Sequence, residues 1–76
     1  MKKEEMAKVQ AFLRKRLGNP KIEVRARPKK TDSAEVYIGP KDEDFLAILY
    51  REEEDGEISY QFQMAIIELD FEDMDL

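Results

Sequence analysis

"FLAILY", residues 45–50, is apolar at every position in a chain of 76 residues of which 41% are charged. Polar, acidic stretches bound it, "GPKDED" before and "REEEDGE" after, so it reads as a short strand. Side chains alternate along a strand, which puts Phe45, Ala47 and Leu49 on one face and Leu46, Ile48 and Tyr50 on the other. Both faces are apolar. A strand of this kind requires cover on two sides, and the rest of the chain has to be asked what supplies it.

The neighbouring runs have a period of two. Ile22, Val24 and Ala26 alternate with Glu23, Arg25 and Arg27; Ala34, Val36 and Ile38 alternate with Glu35 and Tyr37; and Ile58, Tyr60, Phe62, Met64 and Ile66 alternate with mostly polar residues. Strands are expected at about 21–27, 34–39, 45–51 and 57–67, with "PKKTDS" as a polar connection and Asp55-Gly56 as a hairpin turn. Before them Met6, Val9, Leu13 and Leu17 form one stripe of a helical wheel with Phe12 on its flank, which predicts an amphipathic helix at about 3–17. Glu4 and Glu5 at its start and Arg14, Lys15 and Arg16 at its end suit the helix dipole, and "GNP" stops it.

One helix and four strands with short connections predict an α+β domain over residues 1–76, a helix on a four-stranded antiparallel meander in the order α-β-β-β-β. The helix stripe is expected on Ile22, Val24, Val36, Ile38, Tyr60, Phe62 and Met64. It covers one face only. The second face must be covered by the C-terminal segment folding back, by a second copy or by a foreign partner, or it stays an exposed apolar patch with a binding role. In the acidic segment 68–76 and just before it, Ile67, Leu69 and Phe71 have the opposite parity to Ile58 through Ile66, the mark of a bulge, a register change or a strand running past the sheet. Its alternation of acids with Leu69, Phe71, Met74 and Leu76 also suits a charged tail that partly covers the sheet, or a segment that docks on a basic partner.

Composition narrows the function classes. The chain is too apolar for disorder and too charged for a membrane span of about 20 apolar residues. It has no Cys, so packing or self-association must stabilise a core near the lower size limit of a single domain. The N-terminal stretch interrupts its apolar positions with charges and lacks a secretory signal's apolar segment, so Met1 reads as the natural start of a cytoplasmic protein. Eleven of the 13 Lys and Arg lie in residues 1–30 with three acids, while residues 31–76 hold 15 acids against Lys41 and Arg51. Such asymmetry suits a basic contact surface and an acidic tail, but in so small a domain the two halves are expected to interleave and largely neutralise each other.

With neither His nor Cys, the common nucleophile-base pairs and nearly all transition-metal sites lack their parts. Ser33 and Ser59 are isolated, a turn and a strand residue; the scattered Gly18, Gly39 and Gly56 make no phosphate loop; and an EF-hand register around Gly56 fails with Arg51 and Phe62 at ligand positions. A shallow single sheet offers little room for an enclosed acid-base cleft. No enzyme, cofactor or metal site is expected.

What remains is a surface. In "RARPKKTDSAEVYIG", residues 25–39, Arg25 and Arg27 project from one face of the first strand beside Tyr37, and Lys29 and Lys30 sit in the hairpin. Glu23, Glu35, Gln61 and Gln63 share that face. The expected contact surface is the sheet face opposite the helix, with Arg25, Arg27, Tyr37, Leu46, Ile48 and Tyr50 binding an unknown protein partner or a second copy of the chain. Single-stranded nucleic acid on the same basic-aromatic residues is the alternative, set back by the overall acidity.

The segments "FLRKRLGNP", "VRARPKK" with "SAEVYIG", and "SYQFQMAI" together resemble a family of short alphaproteobacterial proteins known as domain of unknown function 3126, over nearly the whole chain. This chain is more elaborate around "GPKDED" and has Ala47 where a Gly is more usual. The resemblance implies a bacterial, cytoplasmic protein. It implies no activity and no catalytic residues.

Overall fold

A helix forms over Lys3–Leu17 (α1), and the residues that end it act as expected: Gly18 takes the left-handed conformation at φ 66°, and the Gly18 N–H donates to the Arg14 carbonyl. At the other end the Glu5 carboxylate accepts the Lys2 backbone N–H at 3.2 Å, serving a donor that no helical carbonyl reaches. Beyond α1 the chain makes β1 (Ile22–Arg27), β2 (Lys30–Ile38), β3 (Phe45–Glu54), β4 (Glu57–Gln63) and a single helical turn, α2 (Leu69–Glu72). This computed structural model describes residues 1–39 and 44–72, so most of "GPKDED" and the last four residues lie outside the described structure.

The strands form one antiparallel sheet in the order β1-β2-β3-β4. The α+β meander is therefore the observed fold. Strand lengths differ from expectation because both hairpin turns are tighter. Pro28 and Lys29 alone separate β1 from β2, with Lys29 at φ 64°, so β2 begins at Lys30 and not at 34. The residues Thr31 to Ser33 are taken up by an irregularity, since Arg27 pairs with Lys30 but Ala26 pairs with Ala34. Asp55 at φ 54° and Gly56 at φ 81° form the expected two-residue turn, and the ladder runs right up to it, Glu54 opposite Glu57. The acids Glu52 to Glu54 thus belong to β3. β4 ends at Gln63 rather than 67, and the segment expected to continue or slip past the sheet turns into α2.

The core lies between α1 and the inner face of the sheet. Val9 and Leu13 meet Ile22, Val36, Ala47 and Leu49, with Val24, Ile38, Tyr60, Leu46 and the N-terminal Met1 packed around them. Ile22, Val36 and Leu49 are fully buried, each contributing about 1.5–3 kcal/mol. The Met1 ammonium donates to the Thr31 carbonyl, which pins the start of the chain on β2. Phe62 and Met64, expected under the helix, are exposed, because α1 lies toward β1 and leaves β4 largely uncovered.

The register also corrects the two faces of "FLAILY". Val36 pairs with Ala47 and Tyr37 with Phe45, so β3 carries one extra residue between them, Leu46. The bulge reverses the parity on its N-terminal side: Phe45 joins Tyr37 on the open face, while Leu46 packs against the core. The inner residues of β3 are Leu46, Ala47, Leu49 and Arg51; the open-face residues are Phe45, Ile48 and Tyr50.

Candidate functional site

The open face brings most of the expected surface residues together. Arg25 lies with its guanidinium carbon 4.0 Å from the centre of the Tyr37 ring, donates to the Gly39 carbonyl at 3.1 Å and pairs with Glu23 at 3.4 Å. Phe45 meets Tyr37 edge-on, with centroids 5.6 Å apart. Arg27 donates to the hydroxyl of Ser33 at 3.0 Å, and that serine is buried rather than a turn residue. Ile48 and Tyr50 are half-buried, for the register sets Ile48 between Glu35 and Gln63, and Tyr50 between Ser33 and Gln61. Long polar side chains flank these apolar ones and shield them with their aliphatic stems. Leu46 alone of the expected group is not on this face.

Phe45 is 46% exposed on this face, but the larger share of uncovered apolar surface is on the other side. Where α1 leaves β4, a groove of about 420 Å³ opens, lined by Lys8, Val9, Phe12, Leu13, Leu49, Tyr60 and Phe62. Phe12 is 63% exposed, Ile58 45% and Phe62 38%, and Met64 continues the exposed strip at the end of β4. Apart from Lys8 and the Tyr60 hydroxyl the lining is apolar, with the buried Val9, Leu13 and Leu49 forming its floor and Phe12 and Phe62 exposed to water. Phe12 was legible as a flank residue of the helical stripe, but its exposure follows from the helix position, which periodicity does not report.

The groove is closed at one end by a polar tie. Glu5 on α1 accepts from the Arg51 Nε–H at 2.7 Å and from the Tyr60 hydroxyl at 2.7 Å, through the same carboxylate oxygen. The Tyr60 hydroxyl, the Lys2 N–H and Arg51 together hold the Glu5 carboxyl down at about 2, and the same bond raises the Tyr60 phenol above its ordinary value. Arg51 also reaches Glu53 at 3.3 Å. Sequence reasoning gave Glu5 only a role in the helix dipole. The overlooked signal is Arg51 itself: it has the parity of Leu49, and an inward-pointing guanidinium needs an acid on the opposing helix.

Among the described residues, every buried side-chain polar atom has a hydrogen-bond partner, no three acids converge to hold a metal ion, and no helix is long and apolar enough to cross a membrane. The described surface thus offers two features, a polar-aromatic open face whose arginines are engaged and an apolar groove between α1 and β4. Residues 5–70 match the family model described as "Protein of unknown function (DUF3126)". No curated protein and no solved structure matches the chain.

Proposed function

The chain belongs to the family described as a protein of unknown function, DUF3126, so its role has to be inferred from its surface, and we propose that it is a small noncatalytic interaction domain that associates with a second copy through the α1–β4 groove. One observation carries this: the exposed Phe12 and Phe62 line one groove beside the core, and Ile58, also exposed, stands further along the same face of β4. Contiguous exposed apolar surface rimmed by polar residues marks association sites. The open face, with Arg25, Arg27, Tyr37, Ile48 and Tyr50, supports a contact less well, because Tyr37, Ile48 and Tyr50 are half-buried among polar neighbours and the exposed Phe45 is turned edge-on to Tyr37. Nucleic-acid binding there is also weakened as a reading. The Arg25 guanidinium occupies a face of Tyr37 on which a base would stack.

Sedimentation of the wild type, Phe62→Glu and Ile48→Glu separates these surfaces. The wild type is expected as a dimer, Phe62→Glu as a folded monomer and Ile48→Glu as a dimer. A monomeric wild type at high concentration sinks the proposal, and dissociation by Ile48→Glu but not Phe62→Glu moves the contact to the open face.

A further inference from the structure

The sheet has two edge strands, and α1 treats them differently. A residue of an antiparallel strand points its N–H and C=O to the same side. On β1 the Ile22 carbonyl accepts from the Arg14 Nε–H at 2.7 Å, and the Val24 N–H donates to the Gln10 side-chain oxygen at 3.0 Å. Ile22, Val24 and Ala26 are therefore the outward set of β1, and side chains of α1 occupy two of its three places. The other edge has no such cover. Among the described residues, no backbone group of β4 makes a hydrogen bond outside the sheet.

Exposed edges are usually guarded by charge, proline or a bulge. β1 has Glu23, Arg25 and Arg27, whereas Ile58–Ile67 is the longest uncharged run in the chain, and β4 has no charged residue after Glu57. β4 pairs with β3 without a register shift. It is also self-complementary. In "EISYQFQ", Tyr60 is the centre, Ile58 and Phe62 stand two residues to either side on the helix face, and Ser59 and Gln61 stand one residue to either side on the open face.

Resting on the self-association proposed above, we propose that two copies pair β4 with β4, antiparallel and in register about a two-fold axis at Tyr60, fusing their sheets into one. That register sets Ile58 opposite the partner's Phe62 twice, an apolar cross-strand pair on the side of the groove. It sets Ser59 opposite the partner's Gln61, and Glu57 opposite the partner's Gln63, so no like charges face each other. The axis is perpendicular to the sheet, and both α1 helices stand on the same side, flanking one apolar trough made from the two grooves. The arrangement also closes on itself. Pairing β4 of one copy with β1 of the next would propagate without end, and the Gln10 and Arg14 bonds on β1 oppose it.

The absence of Cys in the chain makes the register directly testable. In Ser59→Cys/Gln61→Cys, each new thiol faces its partner across the seam at about 4.5–5.5 Å between Cα atoms, inside disulfide range, whereas in either single variant the two thiols are diagonal neighbours about 7–8 Å apart. Mild oxidation is expected to link most of the double variant into dimers and little of either single variant. On dilution of the wild type through the dimer-monomer transition, alternate β4 amides should lose about tenfold or more in hydrogen-exchange protection while Val24 keeps its own. A sedimenting dimer with neither the cross-link nor the loss of protection overturns the pairing and leaves groove-mediated association standing. A wild type that is monomeric throughout, whether its own residues 66–72 or a foreign strand fill the groove, overturns both.

Discussion

β1 and β4 close the same sheet, and each follows the same rule of alternation, yet α1 lies against the first and leaves the second bare. At β1 the helix supplies more than apolar cover: Gln10 and Arg14, one turn apart on its flank, take up the backbone groups that an edge strand presents to water. At β4, among the described residues, the helix makes its hydrogen bond to a side chain and not to the edge backbone, from the Tyr60 hydroxyl to Glu5. A helix is about 10 Å across, and four strands spaced about 4.8 Å apart make a wider sheet than it can cover. The difference teaches that in a domain of this size the single helix finishes one edge of the sheet and leaves the other uncovered.

The most severe way to break the comparison is to bare β1 as well. Gln10→Ala/Arg14→Ala removes both side-chain partners, each contributing about 1 kcal/mol, so a loss of about 2 kcal/mol is expected in urea denaturation. The Val24 amide should exchange faster than in the wild type, and sedimentation should show species larger than a dimer as β1 becomes available to β4 of another copy. An unchanged Val24 amide would mean that the helix does not guard this edge.

How much of this was legible in the sequence follows from which forces are local. Helix α1 and its Gly18 stop, the four strands and the Asp55-Gly56 turn were all readable, because period and turn chemistry are written into neighbouring residues. The bulge at Leu46 was not. "FLAILY" is apolar throughout, so no polar residue marks the position where parity flips, and only the pairing of Tyr37 with Phe45 reveals it. The Pro28-Lys29 turn was hidden for a related reason: "PKKTDS" is polar from end to end, and nothing local shows that the ladder resumes at Lys30. The lateral position of α1 depends on Gln10, Arg14 and Glu5 finding partners 8 to 55 residues away in the chain, and no periodicity carries that information. Apolar surface in need of cover was anticipated on the open face, where Phe45 is exposed, but the larger share beside β4 on the helix side was not.

Each edge strand is held to its neighbour by a two-residue turn, and these give the next test. Gly56 at φ 81° has no atom within 4 Å of where a Cβ would stand, so Gly56→Ala meets only backbone strain and should cost about 1 kcal/mol. Lys29 holds φ 64° with a side chain, and Lys29→Gly relieves that strain while adding freedom to the unfolded chain. The two terms nearly cancel, leaving a gain of about 0.5 kcal/mol. Opposite signs in matched denaturation curves are the expected result; two losses would show that Lys29 is held by contacts that outweigh its backbone conformation.

The smallest effect concerns the polar tie from α1 to β4 through Glu5 and Tyr60. The folded state holds Glu5 at about 2, against 4.5 for the free side chain, chiefly through the Tyr60 hydroxyl, so native chains bind this proton less readily than unfolded ones. Its contribution to stability is therefore complete above about 4.5 and is lost as the pH falls toward 2. The Glu5 and Arg51 side chains remain 20% and 25% exposed, and water and salt screen the pair, which keeps the effect modest. Glu5→Gln retains an acceptor but no charge. The wild type should exceed it in urea midpoint at about pH 6, and the gap should shrink steadily on acidification, together with protection of the β4 amides. β1 is held through Gln10, an amide with nothing to titrate, so the Val24 amide should not follow this difference between the two proteins. A gap that stays constant with pH would mean that Glu5 acts through its shape alone, and that acid does not loosen α1 from β4 by this route.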